Sequence, residues 1–190
     1  MNTIQSGIYA TLLAIIGFTL TIISIEAFAG PIEAANGYAV RVKTSVSNSI
    51  FFDGGSGTSS GAGFLVDKER GWIITNAHVS GYGTADLEVS FKDQKYINSQ
   101  ILYADVELDL AIIMVSKRKI PETAIEASLE CSDLRLNGRE VAAFGHPEGL
   151  SYSASRGIIS QVRVYDRVDW IQTDAAINEG NSGGPLIDLG

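Results

Sequence analysis

The chain has 190 residues, 45% of them apolar and 20 of them glycine, with no long run of charge; this composition argues for one or two compact folded units and against disorder. Twenty-two acidic against fourteen basic residues give a net charge of −8, which argues against sequence-independent nucleic-acid binding, because such binding needs surplus Lys and Arg to neutralise phosphates. The single cysteine, Cys131, excludes an intrachain disulfide.

At the N-terminus, Ile8 to Ile25 carries no charge, and Ala27 and Ala29 then form the small-residue pattern of a secretory cleavage site. The expected reading is export, with cleavage after Ala29. The opening MNTIQSG lacks Lys and Arg, and the apolar stretch is near the roughly 20 residues that span a bilayer, so an uncleaved membrane tether is the alternative. A buried core helix fits less well, since such a helix would not normally open a chain and end in this small-residue pattern.

Beyond the leader the apolar pattern is that of strands. YAVRVKTSV alternates from Tyr38 to Val46. GAGFLV, GWIIT, ADLEVSF, INSQILY, LAIIMV, REVAAF, GIISQV and DWIQT follow, punctuated by Gly, Asp, Asn or Ser. No stretch shows sustained helical periodicity. The KRK run from Lys117 to Lys119 reads as a solvated loop, and PETAIEASLE, Pro121 to Glu130, reads as the link between two halves, although Ile125 and Leu129 would permit a helical turn. Many short strands with glycine-rich turns imply an all-β barrel or sandwich.

The segment INEGNSGGPLIDLG sets Ser182 among Gly180, Gly183 and Gly184. Taken alone it fits a tight turn, or the Gly-x-Ser-x-Gly elbow of the α/β-hydrolases. A serine hydroxyl is a poor nucleophile unless a base lies within hydrogen-bond reach and a third group orients that base. Only two histidines exist, His78 and His146, and both precede Ser182, which fails the hydrolase order of nucleophile, acid, histidine. The order His, Asp, Ser stays open. Asp109 runs directly into the apolar stretch Leu110 to Val115 and is the first choice of acid; Asp105, in a more polar setting, is the second. Asp166, Asp169 and Asp174 lack such a flank.

TNAHV around His78, LDLAII around Asp109 and QTDAAINEGNSGGPL around Ser182 together resemble the trypsin-like serine proteases, and more closely their HtrA/Deg branch. SGAGFLVD and GHPEGLSYSASRGIIS extend the resemblance from about Tyr38 to the end of the chain. It implies two six-stranded antiparallel β-barrels, the first within residues 30–120 and the second within 121–190, after a leader at 1–29. His78 would be the general base, Asp109 its orienting acid and Ser182 the nucleophile in the cleft between the barrels. Backbone NH groups of Gly180 and Ser182 would form the oxyanion hole, with Asn181 a turn residue and His146 in a loop without a catalytic role. Polypeptides are the implied substrates and no cofactor or metal is implied.

Where trypsin-like enzymes that cut after Lys or Arg carry an aspartate, six residues before the nucleophile, this chain has Ala176, so cleavage after small or medium aliphatic residues is expected. The segment Gln161 to Asp169, which corresponds to the HtrA activation loop, is short. By the resemblance, at least two more strands close the second barrel beyond Gly190. These 190 residues are therefore expected to be a fragment of a longer protein, with an incomplete second barrel and exposed strand edges prone to aggregation. Two rival classes share these residues: a chaperone-like binding module, and an esterase or other acyl-transfer enzyme with the same triad.

Overall fold

The computed structural model describes residues 30–46, 57–81, 85–130, 136–147, 150–165 and 168–190. The expected leader, Cys131 and Asp166 lie outside the described residues. Among the described residues no helix is long and apolar enough to cross a membrane.

Six strands form a closed antiparallel barrel: β1 (Ala39–Val46), β2 (Gly57–Asp67), β3 (Trp72–Thr75), β4 (Asp86–Phe91), β5 (Ile97–Asp105) and β6 (Leu110–Met114). They run around the barrel in the order β1, β2, β3, β6, β5, β4. Period-two alternation drives closure. On β1, Val40 and Val42 point inward and are fully buried with Leu65, Ile73, Val89 and Ile113. Arg41 and Lys43 point outward, where Arg41 lies 5.2 Å from the Tyr96 ring centre and Lys43 pairs with Glu88 directly across β4. Closing the sheet on itself removes the free edges that six separate strands would expose.

The second unit is an open four-stranded antiparallel sheet in the order β10, β7, β8, β9, built from β7 (Glu140–Gly145), β8 (Ser153–Tyr165), β9 (Val168–Thr173) and β10 (Leu186–Asp188). Central β7 is buried from Val141 to Gly145, whereas Val164 is 74% exposed on β8 and Trp170 51% exposed on β9. The architecture is all-β, one closed barrel beside an incomplete second one.

One segment departs from the sequence reading. The described residues open with a helix, α1 (Pro31–Tyr38), where no helical period was expected and Tyr38 was read as the start of a strand. Pro31 at its first turn is pre-set for helical φ, and Ala35 and Ala39 bury their small faces against Ala142, Phe144 and Ile187. This helix packs on the second sheet, although the chain runs from it straight into the first barrel. The link Pro121 to Glu130 forms a turn and then runs without regular structure, because Ile125 N–H donates to Gly37 O and Ala127 N–H to Leu65 O. These contacts satisfy the backbone groups that a helix would otherwise use. Lys117–Lys119 is an exposed single 3-10 turn, with Lys117 paired to Glu69.

Candidate active site

The turn that carries His78 is a single helical turn, α2 (Ala77–Ser80), set at the end of β3. It is fixed from three sides. The buried Thr44 hydroxyl donates to Val79 O at 2.6 Å, the buried Thr75 hydroxyl donates to Ala62 O at 2.7 Å, and Asn76 donates its side-chain amide to Asp109 O at 2.7 Å. Ala77 N–H adds a second bond to the same Asp109 carbonyl at 3.2 Å.

Asp109 ends the turn between β5 and β6 with φ of 50°, in the left-handed region that costs most residues stability and that Asp tolerates better. Its carboxylate takes two bonds from one residue. His78 N–H donates to Oδ1 at 2.9 Å, and His78 Nδ1 lies 2.7 Å from Oδ2. A carboxylate offers only lone pairs, so the imidazole proton sits on Nδ1 and leaves Nε2 as an acceptor on a half-exposed ring.

Asp105 does something else. Its Oδ1 accepts Glu107 N–H at 3.0 Å and Leu108 N–H at 2.9 Å, and its Oδ2 accepts the Tyr103 hydroxyl at 3.2 Å. The Leu108 N–H, before the other contacts, holds this carboxyl below the usual carboxylate range. Asp105 thus shapes the turn that presents Asp109. Asp174 accepts Ile158 N–H at 2.7 Å, and Asp169 lies in register with Val164 on the β8–β9 hairpin.

Ser182 reaches this site from the second unit, drawn in by its own backbone. Ala62 N–H on β2 donates to Ser182 O at 2.8 Å. The next residue, Gly183, has φ of 80°, and a Cβ there would come within 2.3 Å of both Ala62 O and Thr75 Oγ1 and 3.0 Å of Asn76 N. Only glycine permits so close an approach, and it seats the serine turn against the residue that caps the His78 helix. Among the described residues no hydrogen bond joins the Ser182 hydroxyl to His78; such contacts often tighten only with substrate in place.

Asn181 N–H donates to Asn178 O at 3.0 Å, His146 N–H to Gly180 O at 3.1 Å and Gly184 N–H to Asn181 O at 2.9 Å. Gly180 N–H and Ser182 N–H have no such acceptor among the described residues. Among the described residues Asn181 Oδ1 is buried without a hydrogen-bond partner, and Ala176 is exposed with its carbonyl held by the Ser155 hydroxyl at 2.6 Å. A separate open groove of about 450 Å³ lies on the first barrel between Glu69, Asn98, Met114 and Lys117, and neither His78 nor Ser182 lines it.

The contribution of Asn76 was not anticipated from sequence, though an Asn just before AHV is a helix-cap signal. The packing of Tyr152 on His146 had no sequence signal.

A closed six-stranded β-barrel beside an open antiparallel sheet is the architecture of a trypsin-like fold. Residues 61–190 match the trypsin-like peptidase domain, and the chain belongs to that family. Among curated relatives it is 42% identical over 69% of its length to the probable periplasmic serine endoprotease DegP-like of Halomonas elongata, covering 27% of that protein. To Protease Do-like 1, chloroplastic, of Arabidopsis thaliana it is 40% identical over 68% of its length, covering 30%. The chain thus spans less than a third of these relatives. Among solved structures it is similar to the HtrA-type protease AlgW with decapeptide, at 28% identity and a TM-score of 0.64, over 82% of this chain and 53% of that one.

Proposed function

We propose that the chain carries the catalytic part of a serine endopeptidase acting on polypeptides. The observation that supports this best is the doubly held Asp109 carboxylate, bonded to both the backbone and the ring of His78 on the seam where Ser182 is seated. In this reading His78 Nε2 takes the Ser182 proton as Oγ attacks a peptide carbonyl, and Asp109 stabilises the imidazolium. The oxyanion is met by the Gly180 and Ser182 NH groups; losing one such donor typically costs about 2.7–4 kcal/mol of transition-state stabilisation. The C–N bond then breaks as His78 returns its proton to the leaving amine. Water, deprotonated by the same imidazole, hydrolyses the acyl-enzyme.

Residues 30–120 supply the first barrel and 121–190 the second in this reading, with α1 lent to the second. The expected test is hydrolysis of unfolded casein by the intact protein, with peptide esters of Ala or Val cleaved in preference to those of Lys, because Ala176 offers a basic side chain no counter-charge. Hydrolysis of small esters with casein untouched would instead show an esterase, and casein bound but uncut would show a binding module.

We place the mature protein outside the cytoplasm. The apolar stretch Ile8 to Ile25 followed by Ala27 and Ala29 supports this, as does the periplasmic naming of the Halomonas relative. N-terminal sequencing of exported protein should begin at Gly30. An intact Met1 in a membrane fraction would show the tether, and recovery in the cytoplasm would contradict both.

A further inference from the structure

His146 follows the last residue of β7 and lies directly behind the serine turn. Its N–H donates to Gly180 O at 3.1 Å, and Gly180, with φ of 100°, is so closely covered that a Cβ would come within 2.4 Å of His146 O and 3.1 Å of Pro147 Cα. Any shift of the His146 backbone is therefore passed to Gly180. The His146 side chain is buried, and two features of Tyr152 hold it. Tyr152 N–H donates to Nδ1 at 3.0 Å, and the Tyr152 ring meets the imidazole edge to face with centres 4.6 Å apart. Tyr152 itself has φ of 60° and donates its hydroxyl to Ser90 O on β4 at 3.2 Å. The clamp thus runs from the first barrel, through Tyr152 and His146, to the carbonyl beside Ser182.

We propose that neutral His146, clamped by Tyr152, is a positioning residue for the turn that carries the Gly180 and Ser182 NH groups. This rests on reading Ser182 as the nucleophile. Because Nδ1 accepts the Tyr152 N–H, the neutral ring carries its proton on Nε2, which is buried. A second proton could only go to Nδ1, where it would confront the Tyr152 N–H donor and open the clamp. Burial pushes the His146 pKa down to about 4; the Val40 carbonyl opposes this and the Arg41 charge on β1 adds to it. Around Tyr152 lie Arg41, Lys92 and Asp93 in the turn after β4, and Tyr96. An unfolded histidine titrates near 6.5. Between that value and about 4 the unfolded chain binds the extra proton, so stability falls as pH falls through this window.

The test combines imidazole and amide NMR on the intact protein with steady-state kinetics on a peptide ester, using Ser182→Ala as the inactive reference. At neutral pH His146 should show an Nε2–H tautomer, and on acidification the Gly180 and Ser182 amide shifts should follow its titration. His146→Leu, which removes the acceptor, should lower kcat about 10- to 100-fold with KM changed less than about 2-fold. His146→Asn, which restores an acceptor that does not titrate, should recover most of that loss and flatten the acid limb of stability. A His146 titration that leaves the Gly180 and Ser182 amides unmoved overturns the proposal, as does wild-type kcat in His146→Leu. If the wild type hydrolyses the ester no faster than Ser182→Ala, the endopeptidase reading fails, and the amide shifts alone decide the clamp.

Discussion

Replacing Ser182 with alanine is expected to abolish labelling by a fluorophosphonate probe and to lower peptide turnover by roughly four to six orders of magnitude. The change is confined to one oxygen. Ser182 is held through its carbonyl by Ala62 N–H, and its neighbours Gly180 and Gly183 are fixed by contacts to His146 and Thr75 that the substitution leaves in place. The thermal midpoint of the intact protein should therefore move little while activity disappears. His78→Ala should remove labelling equally, since the hydroxyl then has no base. Peptide mapping of the probe adduct is the deciding measurement, and undiminished labelling in Ser182→Ala would sink the assignment.

Asp109→Asn is expected to reduce turnover by about 10⁴ without unfolding the protein. His78 presents two donors to this residue, its backbone N–H and its ring Nδ1–H, and the carboxylate meets each with one oxygen. An amide has a single oxygen. If that oxygen keeps the backbone N–H, the amide nitrogen confronts the ring as a second donor, and the imidazole must move its proton to Nε2. It can then no longer accept the proton of Ser182. Asp105→Asn should cost far less, because an amide oxygen can still accept the Glu107 and Leu108 N–H bonds that hold the turn. Comparing kcat for the two variants tests the choice of acid, and a larger loss at Asp105 would reverse it.

The strands were legible because they are short, alternate with period two and end at Gly, Asp or Ser; Val40 and Val42 against Arg41 and Lys43 is the plainest case. The helix α1 was not, because PIEAANGY presents small faces rather than a stripe of large apolar residues, and Ala35 and Ala39 gain their burial from strands far along the chain. The link after Pro121 could have been helical by spacing; hydrogen bonds to Gly37 and Leu65 decided otherwise, and no local pattern announces them. At the site, residue types and order pointed to His78, Asp109 and Ser182. The grip of Asn76 on the Asp109 carbonyl and the stacking of Tyr152 on His146 depend on three-dimensional approach between segments whose spacing in sequence carries no signal.

The helix α1 precedes the first barrel in sequence yet packs in the core of the unit formed by the C-terminal strands. Eight residues are too few to stay helical in water without support. Ala34 N–H, bonded to Gly30 O, is thus shielded while β7 and β10, together with β2 of the barrel, hold their faces against the helix. Its exchange with deuterium is therefore gated by the opening of the second sheet, although the helix leads into the barrel. Loosening the C-terminal strands consequently frees this helix, exposing the backbone beside Gly30 to proteolysis.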